Sequence, residues 1–338
     1  MATLGTSTVT LFDLLKLSDP DGSLATVAEV LDKKNAMLWD MPMIEGNLPT
    51  GHQHTIRTGL ADGTWRMYNQ GVQPTKGRTV QVIDTCGMLD ALSEIDYDLA
   101  KLNGNTAAWR WSQDKPHVEG MGQQSATAII YGNQATDPEQ ITGLAPRYNS
   151  GALGSGTVSD NMLNGGGTGS DNTSIWLVSW GPQKIHGIYP KGMKGGLEMI
   201  DRGLQSLTDG DGYKYVGYEK FFKWKLGVAV ADYRYGVRIC NIDKSLLVAD
   251  GGTVSAGADI ISLMIKAIHL LPDEGDENLV FYCNKTINTY LDLQTYKGTN
   301  MNLTYGEDKF GKKIVEFRGI PVRRVDAILD TEAAVSFS

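Results

Sequence analysis

The chain has 338 residues, of which 41% are hydrophobic and 21% charged, and this composition allows a packed core in one large or two ordinary domains. A net charge of −8 excludes a protein that binds nucleic acid with its whole surface, because phosphate binding needs concentrated Lys and Arg. The three widely spaced cysteines, Cys86, Cys240 and Cys283, form neither a CxxC motif nor a disulfide framework, and they predict reduced, mostly buried thiols.

The N-terminal segment contains two short amphipathic helical patterns. One runs from Thr10 to Leu17 with Leu11 and Leu14 on its apolar side, and the other runs from Thr26 to Trp39. Such short elements cannot form a core alone, so we expect residues 1–50 to dock on the rest of the chain or on a neighbour. The segment lacks the basic start and apolar run of a signal peptide, and no stretch of the chain approaches the ~18 apolar residues of a membrane span.

Residues 51–84 predict a long, polar β-hairpin. His52–Gly59 alternates weakly, and Thr64–Val72 and Arg78–Ile83 are β-like, with turns between them. A two-stranded ribbon is marginal alone in water, and this one has too few apolar residues to bury both faces. We therefore expect the hairpin to lie over another surface.

Two helices are predicted after the hairpin, a short one over Met88–Lys101 and a long one from Asn105 to Tyr131. Gly132 suits a left-handed position just past the end of the long helix. Pro116 either kinks this helix or begins a new one capped by Asp114, because an internal proline removes a backbone hydrogen bond.

The long helix has two contrasting faces. We expect a narrow face of mostly small residues to pack on a sheet, and it consists of Val118, Met121, Ser125, Ala128 and Ile129. We expect the other face to be left for neighbours, and it carries Trp109, Arg110, Gln113, His117 and Gln124.

The second half of the chain predicts mostly strands after a Gly-rich surface loop at Asn149–Ser174. The predicted strands are Ile175–Trp180, Ile185–Tyr189, Leu226–Val230, Tyr233–Ile239, Leu279–Cys283, Ile314–Phe317 and Pro321–Ile328. Helices are predicted at Asp259–Leu271 and at Asn284–Leu293, the latter capped by Asn284. Strands in sets rather than in strict βαβ alternation indicate an α+β protein.

No motif predicts catalysis, a cofactor or a metal. Gly165–Gly169 lacks the Lys and the helix of a phosphate loop. His52 and His54 share a strand face but have no evident third metal ligand, and the DGDG calcium-like sequence after Thr208 has Lys220 where a Glu ligand belongs. No GxSxG, HExxH or Cys–His arrangement is present, so we do not expect an enzyme.

The order of the parts resembles the major capsid proteins of tailed bacteriophages, most closely the coat proteins of epsilon-type podoviruses. The most specific match is the helix ending in Tyr131-Gly132-Asn133, followed after a turn by Ile141-Thr142-Gly143-Leu144. The second match is the late segment Phe317-Arg318-Gly319-Ile320-Pro321-Val322. Pro116, inside the expected spine helix, and the Gly-rich segment depart from the family pattern.

The resemblance implies an α+β tailed-phage capsid fold with an N-terminal arm, an extended β-hairpin loop, a long spine helix, and peripheral and axial domains. The implied boundaries are an arm at 1–50, an extended loop at 51–85, and the short helix, spine helix and start of the peripheral domain at 86–148. A Gly-rich surface insertion follows at 149–174, then a peripheral/axial β region at 175–243, an axial domain at 244–316 and a return strand at 317–338.

The function that the resemblance implies is a structural subunit of an icosahedral phage head that encloses packaged double-stranded DNA. The implied partners are further copies in hexamers and pentamers, a separate scaffolding protein (the arm of about fifty residues is too short for a fused one), a portal protein, a decoration or cement protein, and DNA without sequence-specific contacts. The implied locations are the virion and, during assembly, the host cytoplasm. The candidate inter-subunit contacts are Leu11, Leu14, Trp39, Arg57, Trp65, Arg66, Tyr68, Lys76 and Arg78.

Other interpretations stay open at the level of sequence. One is an encapsulin-like cellular shell of the same fold, and another is a hydrolase with an unrecognised site around the Gly-rich loop. A tail or adhesin subunit is a weaker one, because trimeric β repeats are not seen. Basic hairpin residues could contact nucleic acid, but pairing with an acidic surface on a neighbouring subunit is the simpler interpretation. Lys76 has no evident activating carboxylate, so covalent cross-linking is not predicted.

Overall fold

The computed structural model describes residues 33–102, 104, 107–151, 158–247, 257–273, 278–297, 302–307 and 313–337. The helices are α1 (Met37–Asp40), α2 (Tyr97–Leu102), α3 (Ala107–Tyr131), α4 (Leu144–Arg147), α5 (Ile260–Leu270) and α6 (Lys285–Lys297). The strands are β1 (Met43–Glu45), β2 (Gly51–Gly59), β3 (Arg78–Thr85), β4 (Gly87–Asp96), β5 (Met162–Asn164), β6 (Asn172–Ser179), β7 (Ile185–Tyr189), β8 (Leu197–Thr208), β9 (Lys214–Val230), β10 (Gly236–Asp243), β11 (Leu279–Cys283), β12 (Leu303–Glu307), β13 (Lys313–Phe317) and β14 (Ile320–Arg324).

The chain folds as two compact units. In its described part the smaller unit contains Met88–Ser125 and Gly196–Lys225, and the larger contains Lys34–Gly87, Ala126–Gly195 and the chain from Leu226 onward. Helix α3 and strand β9 each contribute residues to both units. No helix in the described part of the chain is long and apolar enough to cross a membrane.

The smaller unit is a sheet of β8, β9 and β4, in that order, with helix α3 packed on it. Strand β8 pairs antiparallel with β9 from Leu197↔Trp224 to Thr208↔Lys214. The core of this unit is a buried cluster to which the sheet, α2 and α3 all contribute, and it consists of Ile95, Leu99, Ala100 and Trp109, with Tyr218 beside it.

Strand β4 corrects the helix that was predicted at Met88–Lys101, of which only α2 is helical. Its apolar residues fit a helical period as well as a strand period, and pairing with β9 decides between them. Ser93 and Ile95 point inward and are buried, whereas Met88 and Leu92 on the opposite face are exposed. The predicted boundary was therefore wrong because the sheet partner cannot be seen in local sequence.

Helix α3 runs through Pro116 without a break, so the alternative of a second helix capped by Asp114 is wrong. Pro116 is exposed, and its missing N–H leaves the Ser112 carbonyl without its helical donor. Asp114 instead is fully buried and accepts hydrogen bonds from Ser93 Oγ at 2.8 Å and Lys220 Nζ at 2.5 Å. Its side chain therefore ties the helix to the sheet.

The predicted assignment of faces on α3 was also wrong for the residues nearest the sheet. Trp109 is fully buried, His117 stacks on Phe222 with ring centroids 6.1 Å apart, and the Arg110 guanidinium lies 4.7 Å from the Tyr218 ring centroid. Polar and aromatic residues pack here because the sheet offers aromatic rings to cover. Gln124 alone of the predicted neighbour-facing residues is exposed.

The larger unit contains a seven-stranded sheet in the order β12-β13-β14-β11-β6-β10-β5. Strand β6 pairs antiparallel with β10 and β11, whereas β11 pairs parallel with β14. Helices α5 and α6 cover an apolar core that includes Ile175, Phe281 and Phe317. Asn284 Oδ1 accepts a hydrogen bond from Ile287 N at 2.9 Å, which confirms the predicted cap of α6.

The second half of the Gly-rich segment contains a strand, β5, where the sequence predicted only a surface loop. Strand β5 pairs parallel with β10, and the backbone continues close to Asn241. A Cβ atom on Gly165 would lie 2.6 Å from the Asn241 carbonyl oxygen, so only glycine allows this approach. A three-residue strand followed by glycines shows no side-chain periodicity, so the sequence pattern did not reveal this pairing.

The end of α3 is a close backbone crossing rather than the predicted left-handed cap. Gly132 has no positive φ, but a Cβ atom there would lie 2.5 Å from both the Ala128 and Ile141 carbonyl oxygens. A Cβ atom on Gly143 would lie 2.6 Å from the Ala128 oxygen, and Gly143 N donates to the Gly132 oxygen at 2.8 Å. The two glycines therefore let the returning chain pass against the last turn of the helix.

The C-terminal segment after β14 is fastened through one buried carboxylate. Glu332 accepts hydrogen bonds from the hydroxyls of Tyr131 and Ser174 and from Arg238 Nη2, the last at 3.0 Å. Burial and the Glu332 carboxylate raise the pKa of Tyr131, which keeps this phenol a hydrogen-bond donor. The cluster joins the end of α3, the central strands and the C-terminal segment.

Candidate functional site

The extended hairpin of β2 and β3 is the candidate functional site. The strands pair antiparallel from Gly51↔Thr85 to Gly59↔Arg78, which confirms the predicted ribbon. The pairing places His52, His54 and Ile56 on one face together with Asp84, Val82 and Val80. The hairpin forms a two-stranded sheet of its own, so main-chain pairing alone does not anchor it in the larger sheet.

The tip of the hairpin, residues 60–77, has no strand, so the strand predicted at Thr64–Val72 was wrong. A turn at Met67–Gln70 is held by Gln70 N donating to the Met67 oxygen at 3.3 Å, with Asn69 at a φ of 68°. Thr75 Oγ1 donates to the Asp62 oxygen at 2.9 Å and closes the loop. The sequence of residues 64–72 alternates as a strand would, but the segment pairs with no strand in the described part of the chain.

The tip presents large apolar side chains to solvent. Trp65 is 101% exposed and Tyr68 99%, with Leu60, Met67 and Val72 also exposed. Isolated apolar residues are common on surfaces, but five large exposed ones on a single loop make the tip a candidate interaction site.

The other predicted contact residues divide between described and undescribed parts of the chain. The basic residues Arg57, Arg66, Lys76 and Arg78 are exposed on the hairpin, as expected for contacts outside the subunit. Trp39 is 90% exposed in α1, where its neighbour Asp40 is engaged by Tyr282 and Arg323. Leu11 and Leu14 lie outside the described residues.

The root of the hairpin is the end at which Gly51 pairs with Thr85 and His52 with Asp84, and Asp84 fastens it to the rest of the unit. This buried carboxylate accepts hydrogen bonds from Arg147 Nη2 at 2.7 Å and from Val230 N at 3.2 Å. A Cβ atom on Gly51 would lie 2.0 Å from the Asp84 carbonyl oxygen, so the two strands meet here at glycine. Arg147 was not singled out from the sequence, because nothing local relates it to a residue 63 positions away.

Three histidines meet beside Asp84. The rings of His52 and His54 are stacked with centroids 6.1 Å apart, and the His186 ring from β7 lies edge-on to His52 at 5.6 Å. The sequence suggested no third histidine near the pair, and His186 provides it through the fold. No group of three or more His, Cys, Asp or Glu among the described residues is arranged to hold a metal ion.

Burial shifts the protonation of this cluster. Desolvation lowers the pKa of His186 to about 4 and also lowers the pKa of His54, in each case with the His52 charge acting in the same direction. Burial and the Asp84 charge raise the pKa of the Cys86 thiol to about 11. His54 and His186 are therefore predominantly neutral at pH 7, and the Cys86 thiol is not a nucleophile.

Comparisons with known proteins identify a family and several similar solved structures. A family model described as major capsid protein GP7 matches residues 19–336. A chain in the near-atomic-resolution structure of bacteriophage epsilon15 is 37% identical, with 100% of each chain covered and a TM-score of 0.79. A chain of the bacteriophage JBD30 capsid is 10% identical over 88% of this chain and 93% of that one, with a TM-score of 0.50. The search of curated proteins finds no match.

Proposed function

The chain belongs to the family of GP7 major capsid proteins and is a structural subunit of a phage head, and from this premise we propose that its extended hairpin is the surface that docks on a neighbouring copy. The observation that carries the proposal is the solvent exposure of Trp65 and Tyr68 at the tip of a ribbon that, within the described part of the chain, pairs with no other strand. The family match favours this interpretation over an encapsulin-like shell.

The tip supplies enough apolar surface for a useful contact. Covering a large aromatic side chain gains roughly 2–3 kcal/mol, so Trp65 and Tyr68 together contribute several kcal/mol when a neighbour covers them. A shell subunit makes several such contacts at once, and modest contacts then add through avidity.

Charge supports the same docking surface. The hairpin carries Arg57, Arg66, Lys76 and Arg78, whereas the chain as a whole has a net charge of −8. A basic ribbon on an acidic subunit is complementary to a neighbouring copy, and such complementarity fixes orientation more than it adds affinity. Trp39 and the arm residues Leu11 and Leu14 complete the proposed set of contacts.

The larger assembly is part of the same proposal, which the family match supports. The subunits form hexamers and pentamers around packaged double-stranded DNA, with a portal protein at one vertex, a separate scaffolding protein during assembly in the host cytoplasm, and a decoration or cement protein outside. The proposed parts are an arm at 1–50, an extended loop at 51–85, a spine and peripheral segment at 86–148, a Gly-rich insertion at 149–174, a β region at 175–243, an axial domain at 244–316 and a return strand at 317–338.

The subunit acts as a building block and not as a catalyst. The hydrolase interpretation placed a site in the Gly-rich segment, whose described second half pairs its backbone with β10. The three cysteine thiols are free, and burial raises the pKa of each. These observations support a structural role.

Replacing the two tip aromatics tests the docking proposal. The double variant Trp65→Ala/Tyr68→Ala is expected to fold with the stability of the parent, because neither side chain is buried in the subunit, and to lose shell assembly. Thr64→Ala in the same loop is the matched control. Thermal melting of unassembled subunits and negative-stain micrographs give the two measurements, and normal shells from the double variant would refute the proposed docking surface.

A further inference from the structure

Near its root, the hairpin contacts the body of the larger unit through ionisable side chains. The register places His52 opposite Asp84, with His54 on the same face, and His186 of β7 lies against this face. Farther out, the same face carries Ile56, Val82 and Val80. Ionisable groups are therefore concentrated on the part of this face that lies against β7.

The rings at this root are poorly supported by hydrogen bonds. The side chain of His54 is 10% exposed, and neither of its ring nitrogens has a well-aligned hydrogen-bond partner among the described residues. The Nδ1 atoms of His52 and His186 are likewise buried without one. The rings of His54 and His186 gain hydration when the root opens, and each can then take a proton.

The charged and polar groups that face the cluster come from three elements. Asp84 of β3 lies 3.6 Å from His54 Nδ1, but it already serves Arg147 of α4 and the Val230 amide of β9. Burial, His52 and Arg147 oppose a proton on His54, whereas the Asp84 charge favours it, and the Cys86 thiol stays neutral beside Asp84. The single Asp84 carboxylate cannot compensate Arg147 together with imidazolium ions at both His54 and His186.

These groups determine whether the closed root becomes more or less stable as the pH falls. Burial lowers the pKa of both His54 and His186 below the ordinary value of 6.5, so an opened root binds more protons than a closed one in acid. The closed root is therefore fully favoured above pH 6.5 and is weakened as the pH falls from there towards about 4.

We propose that the histidine cluster makes the attachment of the extended hairpin to its subunit acid-sensitive, so that protonation loosens the root and frees the hairpin to change its direction. The inference rests on the proposed docking function, since the direction of the hairpin determines where its docking surface lies. Histidine is suited to this role because its charge changes near neutral pH.

The expected effect is large enough to measure. Opening that restores His186 from a pKa of about 4 to 6.5 raises the opening equilibrium about thirtyfold between pH 7.5 and pH 5. His54 adds to this in the same direction.

Hydrogen–deuterium exchange of the full-length subunit, corrected for intrinsic rates, tests the inference. Amides of the root, such as Cys86 N bonded to the Thr50 oxygen at 2.9 Å, are expected to lose about thirtyfold in protection from pH 7.5 to pH 5, whereas β6 amides keep theirs. Equal protection of the root at both pH values would overturn the inference, and this comparison needs no variant.

Variants assign the effect to the cluster. His54→Gln/His186→Gln is expected to abolish the pH dependence of root exchange, and His269→Gln, at an exposed histidine of α5, is expected to keep it. A double variant that retains the full pH dependence contradicts the assignment. Failure of the docking proposal is separate, because it shows as normal shells from the Trp65/Tyr68 variant while root exchange still responds to acid.

Discussion

Gly132 and Gly143 show why single residues at the end of α3 matter for the whole subunit. Each lies where a Cβ atom would meet carbonyl oxygens of α3 at 2.5–2.7 Å, and backbone cannot move aside as a side chain can. The family-like Tyr131-Gly132-Asn133 and Gly143-Leu144 motifs are thus a steric requirement of the crossing.

Alanine at these glycines and at a helical glycine should have opposite effects. Gly132→Ala is expected to destabilise the unassembled subunit by more than about 3 kcal/mol, since the backbone crossing must open. Gly122→Ala, in the middle of α3 with open space around its Cβ position, is expected to stabilise it by up to about 1 kcal/mol. Urea unfolding of both variants checks this, and a harmless Gly132→Ala would disprove the steric account.

Glu332 is expected to be the most important charge of the C-terminal segment. Glu332→Gln leaves buried Arg238 without its anion and should cost about 3 kcal/mol. Asp330→Asn removes an exposed partner of Lys244, 3.2 Å away, and should cost less than about 1 kcal/mol. Similar losses of unfolding free energy in the two variants would show that the buried cluster has no special role.

At the level of elements, the sequence predicted features that neighbouring residues determine. It did not predict features that depend on pairing with a distant part of the chain. Asn284 caps α6 as predicted because a cap is made by neighbouring residues. Strand β4 was predicted as a helix because its pairing with β9 spans more than a hundred residues. The hairpin strands were predicted from alternation, but His186 and Arg147 reach the hairpin root only through the fold.

Pro116 offers a test of the long helix as an element. It is exposed within α3, so Pro116→Ala adds an N–H donor for the Ser112 carbonyl without disturbing packed side chains. The unassembled subunit is expected to gain about 1–3 kcal/mol, seen as a higher melting temperature. Gln124→Ala on the same helix is the control, with a change within about 0.5 kcal/mol. A lower melting temperature for Pro116→Ala would show that α3 needs the proline geometry.

For the whole molecule, the most conspicuous exposed apolar surface is the tip of the hairpin, where Trp65 and Tyr68 are almost fully exposed. The larger unit buries its sheet under α5 and α6, yet it extends a hairpin whose tip is fully exposed. An isolated subunit has no use for such a ribbon, because its exposed Trp and Tyr rings only add aggregation risk. In the proposed shell the same ribbon becomes a contact with a neighbouring copy, and assembly then covers these rings.

A cryo-EM reconstruction of the assembled head tests the central claim most directly. We predict that the hairpin of residues 51–85 lies on an adjacent copy, with Trp65 and Tyr68 covered by that copy and the basic residues near acidic side chains. A reconstruction in which the tip points into solvent and touches no neighbouring subunit would contradict the account.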